Sequence, residues 1–314
     1  MTTVYVPLDS VAVAMDANAV AEQLTKAGAV VIRNGSHGLA WLEPLVEVEN
    51  GSERIAYGPV SPTTVADLIA NGFLHRPLIE HPLCRGPIGS HDFLQTQTRL
   101  VFDRIGRDSP LRIPDLADVL QALTMPPDDL IEIIETSGLR GRGGAGFPAH
   151  IKWRTVRQTD APRKYLVCNA DEGDSGTFAD RLLLEGDPFR LIEGMVIAGY
   201  ATGAHHGVVY LRSEYPIAET IFKQALEIAY EHHLIGPNVL GSDFDFDLEL
   251  FVGAGAYICG EETSLLESLE GRRGQIRVKP PVPAISGLLS MPTLVHNVIS
   301  FASVPAILRL GGEV

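Results

Sequence analysis

The chain has 314 residues, 45% apolar and 20% charged, with a formal net charge of −14 at neutral pH. That length supplies ample core for one large domain or two, and the acidic balance argues against a nucleic-acid scaffold or attachment to an anionic membrane. Three cysteines, Cys84, Cys168 and Cys259, without any Cys-x-x-Cys, exclude a disulfide framework and a zinc ribbon, and cannot build a four-cysteine iron–sulfur site.

Residues 1–72 read as a small α/β unit: a strand at 4–6, an Ala-rich helix over 17–27 and a strand at 29–33. Strands at 45–49 and 54–57 form a hairpin around Asn50-Gly51, and a helix starts at Pro62. Residues 73–127, with prolines at 77, 82, 87, 110, 114, 126 and 127, read as a connector. From 128 onward strands alternate with helices. An amphipathic helix ends near Gly138. Strands follow at 164–168, 207–212 and 246–250, with helices over 188–201, 217–232 and 262–270. This alternation implies a mixed or mostly parallel α/β sheet. The longest apolar stretch, residues 191–211, is broken by Glu193, His205 and His206 and reads as a core helix and then a strand. No signal peptide opens the chain, so a soluble, cytoplasmic protein without membrane insertion is expected.

Four segments carry the chemistry. Ser137-Gly-Leu-Arg-Gly-Arg-Gly-Gly-Ala-Gly-Phe-Pro148 holds the spacing Gly141-x-Gly143-x-x-Gly146 of a dinucleotide-binding turn. A helix rather than a strand precedes it, which argues against a Rossmann dehydrogenase. Its glycines let backbone approach a ligand, and Arg140, Arg142 and Lys152 offer charge to phosphate. Asn169-Ala-Asp171-Glu172-Gly-Asp174-Ser-Gly176 follows a strand, where α/β sheets place ligands; it also fits a simple Asx-capped turn. Gly253-Ala-Gly-Ala-Tyr257-Ile-Cys259-Gly260-Glu261-Glu262-Thr263 leads into a helix. Its paired carboxylates suit either capping or ribose hydroxyls, and Cys259 is either a packing residue or a thiol in a glycine-lined turn. Last, Lys279-Pro-Pro-Val-Pro283 forms a rigid arm before Val295-His296-Asn297, with Lys279 a phosphate partner and His296 either a ligand contact or a buried histidine.

In this order the segments resemble the FMN-carrying, NADH-binding flavoprotein subunit of respiratory complex I. Its relatives include subunits of bidirectional hydrogenases and of soluble NAD-linked formate dehydrogenases. The resemblance runs from about Phe93 to Leu308. The form Asn169-Ala-Asp-Glu-Gly-Asp-Ser-Gly-Thr-Phe-Ala-Asp-Arg181, with Arg212-Ser-Glu-Tyr215, is most similar to the formate dehydrogenase β subunit. The resemblance implies an atypical Rossmann-like α/β domain over 128–314. It places FMN on Gly141, Arg142, Gly143, Lys152, Asn169, Asp171, Glu172, Tyr257, Gly260, Glu261, Val295, His296 and Asn297. NADH would meet Gly144, Phe147, Asp174, Glu262 and Lys279. Hydride would pass directly from NADH to FMN, with no catalytic side chain and no protein-bound metal. Electrons would then leave singly to iron–sulfur clusters of partners, namely a thioredoxin-like [2Fe–2S] subunit and a molybdenum-containing formate dehydrogenase subunit.

The segment Gly35-Ser36-His-Gly-Leu-Ala40-x-x-x-Pro44 resembles the second half of a thioredoxin-like [2Fe–2S] ferredoxin. Ser36 and Ala40 stand where that fold carries cysteine ligands, so residues 1–72 are expected to hold no cluster and to serve structure or docking. Relatives often carry Asn-Asn-Val-Glu-Thr at 296–300 and aromatics at Thr155 and Val282, against which adenine stacks. Relatives also continue into ubiquitin-like and [4Fe–4S] domains. The chain is therefore read as either a fragment or a shortened subunit, and a silent assembly subunit is the alternative to an active module.

Overall fold

The computed structural model describes residues 2–313 as two compact units. The first contains the chain up to Arg112 with Glu185–Asp187; the second contains Ile113–Leu184 and the chain from Pro188 onward.

In the first unit β1 (Thr3–Pro7), α1 (Ser10–Ala14), α2 (Ala17–Lys26) and β2 (Val30–Asn34) precede a hairpin of β3 (Val46–Asn50) and β4 (Glu53–Tyr57). α3 (Pro62–Ala70), β5 (Cys84–Pro87) and α4 (Asp92–Gln95) follow. The sheet order is β2-β1-β3-β4-β5, with β1 and β2 parallel and the other neighbours antiparallel. This βαβ–ββα arrangement is the thioredoxin-like fold expected from the sequence. Gly51 takes φ +64°, as the tight hairpin requires, and Ser61 and Thr64 cap α3 reciprocally. Val20 and Leu24 of α2 and Val65 and Leu68 of α3 are fully buried against Val4, Val6 and Tyr57. Each such side chain contributes roughly 1.5–3 kcal/mol.

The expected connector over 73–127 is divided between the units instead. Cys84–Pro87 extends the sheet beside β4, and Ile105 is buried, so the chain packs on the first unit up to Arg112. Cys-Arg-Gly-Pro carries neither alternation nor β-branched residues; its pairing is imposed by the free edge of β4.

Of the two residues that the resemblance set at ligand positions, Ser36 is buried. Its hydroxyl donates to Glu43 Oε1 at 2.5 Å, and Ala40 begins a short turn, Ala40–Leu42. Burial, with the nearby charge of Asp9, pushes the Glu43 carboxyl up to about 8. Buried Glu47 lies 2.8 Å from His37 Nε2 and 3.5 Å from the Arg54 guanidinium. Arg54 and Asn34 each donate to the Gly106 carbonyl at 2.9 Å.

The second unit runs α5 (Ala117–Thr124), α6 (Pro127–Thr136), α7 (Ala149–Gln158), β6 (Tyr165–Ala170), α8 (Ala179–Gly186, whose last two residues count with the first unit), α9 (Pro188–Thr202) and β7 (His206–Leu211). It continues through α10 (Pro216–Glu231), β8 (Asp247–Val252), α11 (Glu262–Leu269), β9 (Thr293–Asn297), α12 (Val298–Ala302) and α13 (Val304–Leu310). The sheet is wholly parallel, in the order β8-β7-β6-β9. β9 was not expected as a strand. β6 and β7 are buried on both faces, as parallel strands are, whereas β8 alternates at the edge. α9 is buried almost all round, lying on β6 and β7 within a ring of α5, α6, α7, α12 and α13. Its Gly194 meets the backbone carbonyl of Phe301 in α12, an approach that leaves no room for a Cβ. On the opposite face α11 covers Tyr165, Val167, Tyr210 and Val295.

Connections from β6 step outward to β7 and β8, and the chain then returns to place β9 on the other side of β6. The carboxyl ends of β6 and β9 therefore form a topological switch point, where open α/β sheets leave a crevice.

Candidate functional site

The glycine loop connects α6 to α7, so a helix precedes it, as expected. It closes on itself: the Gly141 N–H donates to the Phe147 carbonyl at 2.9 Å, and Arg140 Nε donates to the Gly146 carbonyl at 2.6 Å. Gly144 and Gly146 hold φ of +143° and +62°, open to glycine at little cost. A Cβ on Gly143 would stand 3.1 Å from the Asn297 Cβ. The loop is pinned to the sheet where the Arg142 N–H donates to Ser300 Oγ at 2.9 Å, while Ser300 Oγ donates to Asn297 Oδ1 at 2.5 Å. No side chain caps α7; its first amide, the Ala149 N–H, donates to the Leu139 carbonyl at 2.9 Å, closing the loop at its base.

Between this loop and the sheet edge lies a cleft of about 490 Å³, within the size range of small-molecule sites. One wall is Gly141, Gly143–Phe147, Ile151, Lys152 and Thr155; the floor is Asn169, Thr293, Val295, His296 and Asn297. The far wall is Gly260, Glu261 and Glu262, with the arm Lys279 and Val282–Ala284.

Charge is balanced across it. Lys152 Nζ donates to Glu262 Oε2 at 2.9 Å and to the Val295 carbonyl at 3.2 Å, and Lys279 Nζ donates to Glu262 Oε1 at 2.7 Å. Burial works against the Glu262 carboxylate, but the two ammonium groups outweigh it and hold its pKa below the usual range. Lys279 shifts up on the same balance, burial opposing it and Glu262 and Glu261 prevailing. Glu261 caps α11, accepting from the Thr263 and Ser264 amides at 2.8 and 2.9 Å. Asn169 Nδ2 donates to the Gly260 carbonyl at 2.7 Å. His296 is buried, and its Nε2 accepts the Trp153 indole N–H at 3.1 Å.

The cleft thus gathers Gly141, Gly143, Gly144, Phe147, Lys152, Asn169, Gly260, Glu261, Glu262, Lys279, Val295, His296 and Asn297 from the positions expected on sequence grounds. Arg142, Asp171, Glu172, Asp174 and Tyr257 are not among its lining residues. Arg142 contributes its backbone. The Glu172 carboxylate is taken up at the start of α8, accepting from the Asp180 and Arg181 amides at 3.1 Å, and from the Tyr215 hydroxyl. Exposed Tyr257 donates to Asp174 Oδ1 at 2.9 Å. Half-buried Asp171 is pushed up to about 6 by burial, with Arg212 pulling it down and Glu214 up. Arg140 braces the loop instead of facing the cleft. Sequence reasoning missed Ile151 as a wall residue and Ser300 as the loop's anchor. Ile151 follows from helical spacing once α7 is known to start after Pro148, because 151, 152 and 155 then share a face.

Glycine amides, an ammonium group and a polar floor of Asn169, His296 and Asn297 form a donor set that fits a flavin nucleotide's phosphate and polar ring edge. Fold and site together define a parallel α/β nucleotide-binding unit with its ligand cleft at the β6/β9 switch point. The family model described as the Nuo51 FMN-binding domain matches residues 134–306. The chain therefore belongs to the FMN- and NADH-binding flavoprotein family of complex I.

The chain is 53% identical over 193 residues to the NADP-reducing hydrogenase subunit HndC of Solidesulfovibrio fructosivorans, covering 62% of this chain and 39% of that one. It is 50% identical over 193 residues to the F subunit of the NADH-quinone oxidoreductase of Aquifex aeolicus, covering 62% and 45% respectively. It thus spans less than half the length of these relatives. Among solved structures, the NAD+-reducing [NiFe]-hydrogenase in the H2-reduced state matches at 30% identity and TM-score 0.59, over 99% of this chain and 53% of that one. No helix among the described residues is long and apolar enough to cross a membrane.

Proposed function

We propose that the second unit is an NADH:FMN oxidoreductase (diaphorase) module, passing electrons between NAD(H) and iron–sulfur clusters of a partner subunit. The switch-point cleft carries this reading: loop amides and α7 stand on one side and Glu262 between two lysines on the other, within the stretch that the family model matches. Bound FMN would supply the hydride acceptor and divide a two-electron transfer into single-electron steps. The protein's part is binding and orientation. Gly141, Gly143, Lys152, Asn169, Gly260, Glu261, Val295, His296 and Asn297 hold the flavin, on a loop that the Arg142 N–H pins to Ser300. Gly144, Phe147, Glu262 and Lys279 face the dinucleotide. Glu262 stays ionised, so it accepts hydrogen bonds and transfers no proton.

The finer reading is a β subunit of a cytoplasmic NAD-dependent formate dehydrogenase, working with a molybdenum-containing subunit and a thioredoxin-like [2Fe–2S] subunit. The form of residues 169–181 and 212–215 supports it. A hydrogenase assembly is the second reading, favoured by the likeness to the NAD+-reducing [NiFe]-hydrogenase chain over 99% of this one.

The test is a visible spectrum of the purified chain, loaded with FMN, desalted, and reduced anaerobically with NADH. Retained flavin bands that bleach are expected. Retained bands that NADH leaves unchanged remove the NADH site but not the flavin pocket. No retained flavin overturns the proposal in favour of a silent assembly subunit. Metal analysis of complexes co-purified from the native host separates the partners, molybdenum supporting the formate dehydrogenase and nickel the hydrogenase.

A further inference from the structure

We propose that Trp153 locks His296 in the tautomer protonated on Nδ1, so that His296 presents a permanent N–H donor to FMN in the cleft. This rests on the flavin reading above.

The indole nitrogen of Trp153 donates and never accepts. It lies 3.1 Å from His296 Nε2, and both residues are buried, Trp153 fully. Nε2 must therefore offer its lone pair. A charged imidazolium has no lone pair to offer, and the Nε2–H tautomer would set two N–H groups against each other. The remaining neutral form carries its proton on Nδ1. Burial, reinforced by the nearby Lys152 ammonium, disfavours the charged ring and holds its pKa down at about 3. The ring's orientation is set independently by Phe301, packed edge-on at 5.3 Å and 82°.

Nδ1 makes no hydrogen bond to any described residue, although His296 is one of the residues lining the cleft. Nδ1 is not among the side-chain atoms sealed from solvent without a partner, so in the free protein water from the cleft can serve its N–H. A flavin nucleotide's phosphate, hydroxyl and ring-edge acceptors can take that water's place. Trp153, on α7, is a positioning residue: it acts on the ligand only through His296.

The test is ¹⁵N NMR of the histidine ring nitrogens in the full chain at neutral pH, before and after addition of FMN. Nδ1 is expected to be protonated and Nε2 unprotonated in the ligand-free chain, with the Nδ1–H signal shifting when FMN binds. His296→Leu should weaken FMN binding roughly tenfold, as loss of one buried hydrogen bond does, and His296→Asn, which keeps an amide donor, should recover most of it. Trp153→Phe should mix the tautomers while FMN binding falls less than in His296→Leu, melting curves confirming that each variant folds. A ligand-free chain protonated on Nε2 overturns the lock, and a folded His296→Leu that binds FMN as tightly as the unaltered chain overturns the donor role. If the unaltered chain binds no FMN, the reading of the site falls and the ligand named here with it. The tautomer measured without ligand decides the lock separately.

Discussion

Both units bury polar side chains beside a sheet, but they use them in opposite ways. In the first, Ser36 donates to Glu43, while His37 and Arg54 flank Glu47 and Arg54 also reaches the Gly106 carbonyl, so these side chains are spent on one another and on backbone. In the second, Lys152, Glu262, Lys279, Asn169 and His296 are paired yet border a cleft. Polar residues at a sheet edge do not themselves mark a site. What separates a structural network from a binding one is whether glycines and a strand-order reversal hold space open beside it.

The largest effect is expected where that space depends on backbone contact. Gly194→Ala sets a methyl group against the Phe301 carbonyl, displacing α12 and with it Asn297 and Ser300. A loss of more than about 3 kcal/mol is expected in denaturant unfolding, with loss of retained FMN; an unchanged midpoint would break the account of how the cleft is held. Glu47→Gln strikes the first unit's network. Stranding a buried ion pair costs about 3–5 kcal/mol, reduced here to roughly 2–3 because the Arg54 side chain is 23% exposed. FMN affinity should not change, and an altered affinity would show the first network to be part of the site. Lys152→Met removes a charge-assisted donor from the cleft and should weaken FMN binding by about 1.5–3 kcal/mol, measured by flavin fluorescence titration.

The pH dependence has the same sign in both units. Glu43 rises from an ordinary 4.5 to about 8 and Asp180 from 3.8 to about 8, each mainly through burial. Folding thus favours their protonated forms: this contribution is complete below the ordinary values and is lost as pH rises through about 8. Denaturant midpoints should fall between pH 5 and 9 on that account, and Glu43→Gln should flatten part of the fall; an unaltered slope would contradict the buried assignment. The smallest change is at the cleft's apolar rim. Thr155→Phe or Val282→Phe should lower the KM for NADH a few-fold, since one aromatic contact is worth about 0.5–1.5 kcal/mol. A KM unmoved by both would place the adenine elsewhere.

Much of the second unit was legible because its signals are local. The glycine spacing at 141–146, the Glu261-Glu262 pair at a helix start and the apolar strands were all readable in place. What escaped was decided at a distance. β9 has only five residues, beginning just after Pro292 and ending in His296-Asn297, and is a strand because β6 offers it an unpaired edge. Cys84–Pro87 joins the first sheet for the same reason. Glu172 looks like a ligand in Asn-Ala-Asp-Glu-Gly, but it is committed to amides eight and nine residues onward, at the start of α8. Trp153 and His296 lie 143 residues apart, and no pattern links them before the fold does.

The return of the chain to the far side of β6 also has a consequence in time. The glycine loop and α7 precede every strand of the second sheet, whereas β9 is the last strand to be made. During synthesis the loop and three strands emerge while four of the five floor residues are still missing, and the closing contact joins residues near 142 to residues near 300. Such long loops close late and slowly. Capture of a ligand by the cleft therefore reports completion of the fold. A nascent chain released before β9 docks should leave the apolar edge of β6 uncovered and have no site with which to hold a cofactor.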